Sequence, residues 1–598
     1  GYFGKEKKNG IAEEIKNVLC HKVDWFDGTY LNHQYGFHGV SDFSTNLKKD
    51  YYSSSHKSIV LYGNVYSFKN QILNQNKSEN LFKLYENYGL DFLKYLNGSY
   101  VLSIFDNENV ILANDRIGSK NLFYKLNKKD ILYSSEIKAL LTDKSLLLEW
   151  NKDSILEYFT YSFILGNKTF FKGIEVFPPA SFHIINKEGK KMIKYYVLKK
   201  REREKFNLNS LISEFSTVML NSVKKRMEDK KKIGILLSGG LDSRLLAGFA
   251  KQIALKNNIN LISFTFGTKG GWQEKIAKKV AKRLKIENIF FPIPIDSISK
   301  YAEEVVYKGD GLIRIRDAHF ISLLGEINSQ VDTILTGLFC SELFGETLAP
   351  NLLEIPLRST LINYLFNFSK VKHISQHIPK LFSKSFQINS EKKIKEFFAH
   401  TIKEITINSN DEIAHHWEIL QRCRRYILPI STYMSWYLET RLPFLDNDVI
   451  DFALQLPYEL KFNKKFIEKA NRMIFPLLAN IPCEKTGLPP DFNRAIVNFY
   501  NKARLAKEHI KKFIEKISLN KILFRSLDYR AYDYYLRTGS KEYVLKSLII
   551  KNDNSIWNRD YLRKIINEHM SLKENHEQII IDVLQIDLIN RLFFLRSF

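Results

Sequence analysis

The chain has 598 residues, long enough for two to four domains, with 44% hydrophobic and 26% charged residues, ordinary values for a soluble globular protein. Its four cysteines, Cys20, Cys340, Cys423 and Cys483, show neither CxxC nor other metal spacing, which fits a reduced, cytoplasmic setting rather than a disulfide framework; no apolar run reaches membrane-spanning length, and the opening GYFGKEKKNG is not a signal peptide. A net charge of +25 admits a polyanionic partner such as tRNA or an acidic peptide, but the chain is rich in Lys, Ile and Asn throughout and its basic residues form no RNA-binding signature, so a nucleic-acid partner is not expected.

Taken in order, the first part alternates short β-like runs with turns: SIVLYGNVYSF, SYVLSIFD, NVILAND, NLFYKL and DILYSSE. One helical segment, ENLFKLYENYGLDFLKYL, interrupts them, and the pattern predicts an α+β domain on antiparallel sheets over residues 1–200. The charged stretch REREKFN reads as a linker to a second domain over 208–598. There the rhythm changes to helix (LISEFSTVMLNSVKKRMED), strand (IGILL), helix, strand (LISFTF), helix (EKIAKKVAKRL), strand (NIFFPI), helix (SISKYAEEVVY) and strand (DTILTG). That alternation predicts a doubly wound parallel sheet with its ligand at the carboxyl ends of the strands. Beyond Leu353 the chain reads as mostly helical, with no internal repeat.

The stretch IGILLSGGLDSRLLAGFA, from Ile233 to Ala250, carries the strongest chemical signal. A short apolar run suits a strand buried on both faces. Gly239 and Gly240 permit a tight turn, and Ser238, Asp242 and Ser243 favour a helix start. A buried strand, a glycine turn and a helix N-terminus together form an anion site. A carboxylate in that turn does not bind phosphate itself but can do so through Mg²⁺, so Asp242 is the candidate metal ligand of a nucleotide site. Three later segments are weak singly. TILTGLFCSELFGE places Glu342 after Gly337, ETRLPFLDNDVIDFALQLP carries Arg441 and Asp446, which in isolation read as a structural ion pair, and IPCEKTGLPPDF sets Lys485 in a loop bounded by Pro and Gly.

In that order along one chain, these segments resemble the class B asparagine synthetase family. SGGLDS is similar to its pyrophosphate loop, RLPFLD to its Arg-x-Pro-Phe-Leu-Asp segment, TGLFCSELFG to its Thr-Gly-x-Gly-x-Asp-Glu-x-Phe-Gly segment, and EKTGLPP lies where the family has its catalytic lysine. GYFG, YGNVYSF, FLKYLNGSYVLSIFD, NDRIGSKNLFY and SSEIKALL resemble, in order, the family's glutaminase domain, so the likeness covers nearly the whole chain and is least clear over the last hundred residues. The resemblance implies a glutaminase-like (Ntn-hydrolase-like) domain followed by an ATP-pyrophosphatase domain. It also implies a reaction: ATP activates a carboxylate as an acyl-adenylate, pyrophosphate leaves, and ammonia or an amine displaces AMP to form an amide. Ser238, Gly239, Gly240, Leu241 and Ser243 would hold the pyrophosphate, Asp242 the Mg²⁺, and the LISFTFG segment with Phe266 the adenine; Gly337 would line the nucleotide site, and Lys485 and Glu342 would serve catalysis.

The departures bear on the substrate. In glutamine-using members the mature chain begins Cys-Gly-Ile-Phe-Gly with the cysteine as nucleophile. GYFG here starts one residue later in that register, so the nucleophile is either missing or precedes Gly1. The family's Asn-Gly-Glu glutamine motif reads Tyr62-Gly63-Asn64, and its pocket aspartate falls at Lys77, whose charge would repel the α-amino group of glutamine. Leu338 replaces the glutamate of asparagine-forming members, and Ser341 stands in place of a metal-binding aspartate, with Glu342 beside it. These changes resemble the β-lactam synthetases and lasso peptide cyclases, which close an activated carboxylate onto an amine already in the substrate. Three functions follow: an ATP-dependent amide ligase or cyclase that does not use glutamine, a glutamine-dependent synthetase whose cysteine precedes Gly1, and a noncatalytic binding subunit. Expected partners are ATP, a carboxylate- and amine-bearing substrate such as a precursor peptide, and a second copy or a peptide-binding protein; no membrane contact is expected.

Overall fold

The structure, a computed structural model, describes residues 1–3, 11–19, 29–33, 36–40, 50–54, 56–73, 76–127, 130–198, 207–386, 391–407, 409–484, 487–489, 494–518, 531–550 and 556–595. The linker stretch REREKF and Lys485 lie outside them.

The N-terminal part holds two antiparallel sheets. In one, the long strand Lys57–Phe68 pairs with Leu96–Asp106, which pairs in turn with Asn109–Asn114 and then Ser181–Asn186. The other runs through Phe123–Asn127, Asp130–Ser134 and Tyr2–Phe3. Leu96–Asp106 is buried along almost its whole length, as a strand covered on both faces must be. Gly63 sits at φ +104°, and a Cβ there would fall 2.2 Å from the Ser99 carbonyl oxygen, so the two longest strands approach more closely than any side chain would allow.

The second part is built on a five-stranded parallel sheet in the order Glu287–Pro292, Asn260–Gly267, Lys232–Leu236, Thr333–Leu335, Thr440–Arg441. The chain leaves Lys232–Leu236 toward one edge, returns, and adds Thr333–Leu335 on the opposite side. The order therefore reverses beside Lys232–Leu236, the position where doubly wound sheets open a ligand crevice at their carboxyl ends. The fifth strand, two residues of the RLPFLD region, has no signature of its own in the sequence; it exists because Thr440 and Arg441 pair with Ile334 and Leu335.

The two parts share a hydrophobic core. The helix Lys152–Tyr161 contributes Ile155, Tyr158 and Phe159 to the same apolar cluster as Ile298 and Val305 and as Ile579, Leu584 and Phe593 near the C-terminus. The helix Glu577–Ile589 is apolar around most of its circumference and accordingly buried along it. Among the described residues, no helix is long and apolar enough to cross a membrane.

Candidate active site

The loop between the strand Lys232–Leu236 and the helix Leu241–Asn257 closes on itself through its two serines. The hydroxyls of Ser238 and Ser243 lie 2.9 Å apart, the Ser238 amide donates to the Ser243 hydroxyl at 3.0 Å, and the Gly240 amide donates to that of Ser238 at 3.1 Å. Gly240 caps the helix with no side-chain bond, so the dipole of a 17-residue helix opens toward the loop. Leu241 is buried at the first helical position and fixes the entry angle.

Two glycines let neighbouring segments reach this loop. A Cβ on Gly337 would lie 3.2 Å from the Ser243 amide nitrogen, so the end of the strand Thr333–Leu335 packs directly on the first turn of the helix. A Cβ on Gly239 would meet the side chain of Glu484 at 2.8 Å, and the Glu484 amide donates to the Gly239 carbonyl at 3.2 Å. Glu484, the residue before Lys485, is thus docked on this loop. Arg244 secures that docking. Fully buried one turn into the helix, its guanidinium donates to the carbonyls of Leu478, Ile481 and Pro482 at 3.1, 2.8 and 2.8 Å. Sequence reading passed over Arg244, whose partners lie more than two hundred residues away; an arginine inside an apolar helical run was the available signal.

Phe266, next to last in the strand Asn260–Gly267, is buried, and its carbonyl accepts from the Gln273 side chain at 2.8 Å. Glu342 is buried, and loss of hydration raises its pKa to about 7; Arg422, 3.8 Å away, opposes that rise and Glu418 adds to it. Leu338 packs against the apolar clusters of both sides of the sheet. The next residue, Phe339, adopts φ +78° where the related motif has glycine, a conformation that costs a side-chain-bearing residue about 1–3 kcal/mol.

Both oxygens of Asp242 accept from the ammonium of Lys464, at 2.8 and 2.9 Å, and one also accepts from the Ser341 hydroxyl at 2.7 Å. Lys464 reaches Ser341 at 3.0 Å and Glu346 at 2.8 Å as well. This set of ligands does not fit a protein-held Mg²⁺: a serine stands where the family motif has its aspartate, and the ammonium of Lys464 already occupies the space between the oxygens that such an ion would need.

The RLPFLD segment differs from the ion pair predicted for it. Arg441 does not pair with Asp446. It is held by Asp229, at 2.5 and 2.8 Å, and by Glu439 at 2.7 Å, while Asp446 takes Arg226 at 2.7 Å and accepts from Asn97 at 2.9 Å. Leu442 and the single helical turn Pro443–Leu445 separate the two, and each finds a partner elsewhere. Arg441 and Lys230 outweigh burial at Glu439 and hold its carboxyl below the usual range.

Glu439 also ties this segment to the N-terminal sheets. Asn64 donates to it at 3.1 Å, and Lys77, buried at the start of the helix Lys77–Tyr88, donates to the other end of the same amide at 3.2 Å. Tyr62, two residues before Asn64 on the same strand, is half-buried, and loss of hydration drives its phenol pKa upward. At position 1, a Cβ would overlap the Tyr133 ring at 2.3 Å.

Comparison with known proteins matches both parts. A family model described as a glutamine amidotransferase domain matches residues 51–196, and one described as asparagine synthase matches residues 214–476. The chain is 22% identical over 548 residues to asparagine synthetase [glutamine-hydrolyzing] 1 of Bacillus subtilis, a match covering 80% of this chain and 84% of that protein. It is 21% identical to asparagine synthetase [glutamine-hydrolyzing] 3 of the same organism, over 70% of this chain and 72% of that one. It is 24% identical to amidase chyE of Penicillium rubens, over 40% of this chain and 38% of that one. The two family models together span more than half of the residues and fall in the order of the two parts described above. With an amidotransferase-type sandwich leading into a parallel sheet that ends in SGGLDS, the chain belongs to the class B, glutamine amidotransferase-like asparagine synthetase family and is an ATP-dependent ligase that forms carbon–nitrogen bonds.

Proposed function

We propose that this ligase adenylates a substrate carboxylate and transfers the acyl group to an amine of the substrate itself without hydrolysing glutamine, in the manner of a lactam or peptide macrolactam cyclase. One observation carries the reading: the residues at the family's glutamine-pocket positions are committed elsewhere. Lys77 places a buried ammonium where a carboxylate would receive the amino group of glutamine, and Asn64 is engaged at both ends by Lys77 and Glu439. A pocket lined this way repels the α-ammonium of glutamine.

In this reading ATP enters the crevice at the switch point as its magnesium complex, the metal arriving as part of the substrate. Ser238, Gly239, Gly240, Leu241 and Ser243 receive the departing pyrophosphate through hydroxyls and amides, Gly337 leaves room for it, and Phe266 borders the adenine. Charge builds first at phosphorus and then at a tetrahedral carbon, so a cation on the Lys485 loop carries much of the rate. Glu342, buried beside Ser341, positions Arg422. The thiols of Cys340, Cys423 and Cys483 are buried and free, which together with the need for ATP supports a cytoplasmic setting. A precursor peptide is the substrate class favoured by the loss of the glutamate at Leu338.

The test is a pair of assays on the same full-length chain. ATP–pyrophosphate exchange should appear with the right carboxylate, while glutamine hydrolysis stays at the level of a heat-killed control. Glutamine hydrolysis above that control would replace this reading with a glutamine-dependent synthetase. Absence of ATP binding would replace it with a noncatalytic subunit.

A further inference from the structure

We infer that the ammonium of Lys464 takes the place of a protein-held divalent cation at the pyrophosphate loop, so that the only metal the reaction handles arrives and leaves with the nucleotide. The inference rests on the nucleotide reading of the loop given above and deepens it.

The geometry is that of a cation in a cage of oxygens. Lys464 Nζ lies 2.8 and 2.9 Å from the two Asp242 oxygens, 3.0 Å from Ser341 Oγ and 2.8 Å from Glu346 Oε2, and the Ser341 hydroxyl closes the ring by donating to Asp242 at 2.7 Å. The three side chains come from three separate segments: the first turn of the loop helix, the short helix Cys340–Leu343, and the turn that follows it. An ammonium has three donors and no preference for six ligands, which suits two carboxylates and a hydroxyl; Mg²⁺ demands a near-octahedral oxygen shell.

Charge within the cage is already met in part: the carboxylates of Asp242 and Glu346 face the Lys464 ammonium, and Ser341, 123 residues from Lys464 in the chain, adds a neutral hydroxyl. A divalent ion entering this cage would sit within contact distance of a fixed like charge.

The backbone is bent to deliver this side chain. Asn463 and Lys464 stand in succession in the left-handed region, at φ +57° and +58°, between two helical segments. Two adjacent non-glycine residues hold that conformation only when the surroundings over-determine it, and here the anchor is the ring of oxygens around the Lys464 ammonium.

Mn²⁺ titration of the full chain, followed by electron paramagnetic resonance without nucleotide, tests this directly. The wild type should show no bound Mn²⁺ that disappears in Asp242→Asn. The double variant Lys464→Met with Ser341→Asp, checked for folding by circular dichroism, should gain one Mn²⁺ per chain, held at least tenfold more tightly than by wild type and lost when Asp242→Asn is added. An Asp242-dependent Mn²⁺ site in the wild type, or no gain in the folded double variant, overturns the inference. Should the double variant not fold, Mg²⁺ titration of the wild-type exchange reaction decides: saturation once Mg²⁺ equals ATP supports Lys464 as the resident cation, and continued activation by free Mg²⁺ overturns it. A chain that binds no ATP sinks the adenylation reading alone, because the Mn²⁺ titration judges Lys464 without it.

Discussion

Asn64, on the longest strand of the N-terminal sheets, donates its side-chain amide at 3.1 Å to Glu439, which leads into the last strand of the parallel sheet. Asn64 thereby forms part of the joint between the two halves of the chain. The bond is continued by Lys77 on one side and by Arg441 and Asp229 on the other.

Asn64→Ala should therefore cost stability rather than activity. It removes the donor to Glu439 and the acceptor for Lys77, and the loss should be about 1–3 kcal/mol. Urea unfolding read from the midpoint and slope measures it. Exchange activity per folded molecule should stay within about twofold, the range expected of a surface of contact remote from the loop. A large loss of activity at unchanged stability would place Asn64 in the chemistry.

Arg244→Ala should loosen the segment that carries Lys485. Three carbonyl bonds are lost at once, and the segment at 478–482 is released from the loop helix. Turnover should fall by roughly 10- to 100-fold, since small misplacement of a positioned group has that effect. Arg244→Lys should rescue little, because a compact ammonium cannot span three carbonyls as the planar fork does. Steady-state kinetics beside thermal unfolding separates the two effects; equal activity in both variants and wild type would make Arg244 a packing residue only.

Lys485→Ala should lower product formation by about 10²-fold or more, the scale of losing one preorganised charge contact. ATP affinity should change far less. Calorimetry for ATP and mass spectrometry for the amide product, on the same samples, provide both numbers. Near-normal turnover with the true substrate would mean that the loop serves structure alone.

The docking of the C-terminal helix should respond to pH through Asp582. Burial raises this carboxyl from 3.8 to about 7, against the pull of Arg316 and a hydrogen bond from Tyr158 at 3.1 Å. The folded chain then binds a proton that the unfolded chain has released, so the contribution of Asp582 to stability is full below about pH 4 and declines as pH rises from there to about 7. Asp582→Asn keeps a polar partner for Tyr158 and removes the titration. Its unfolding midpoint, compared with wild type at pH 5 and pH 7.5, should show a gap that widens in favour of the variant at the higher pH. A constant gap would show that Asp582 does not titrate in this window.

The sequence by itself determined the elements whose signal is local. Alternation and apolar runs marked the strands Lys57–Phe68 and Asn260–Gly267, helical spacing marked Trp272–Leu284, and the serines and glycines from Ser238 to Ser243 marked the turn between a strand and a helix start, because each of these is specified by neighbours in the chain. Side-chain pairing was legible only in part. Arg441 and Asp446 lie close in sequence and pair elsewhere, since a strand followed by a turn points them at different neighbours. What only the tertiary structure decided were the groups brought together over long separations: Arg244 with Pro482, Asn64 with Glu439, and Lys464 with Asp242 and Ser341. Their residue types, an arginine in an apolar helix, an asparagine in a strand and one of two consecutive lysines, carry no local preference for those partners. The strand order of the parallel sheet and the two left-handed residues before the helix Lys465–Ile474 supply the proximity that chain neighbours cannot.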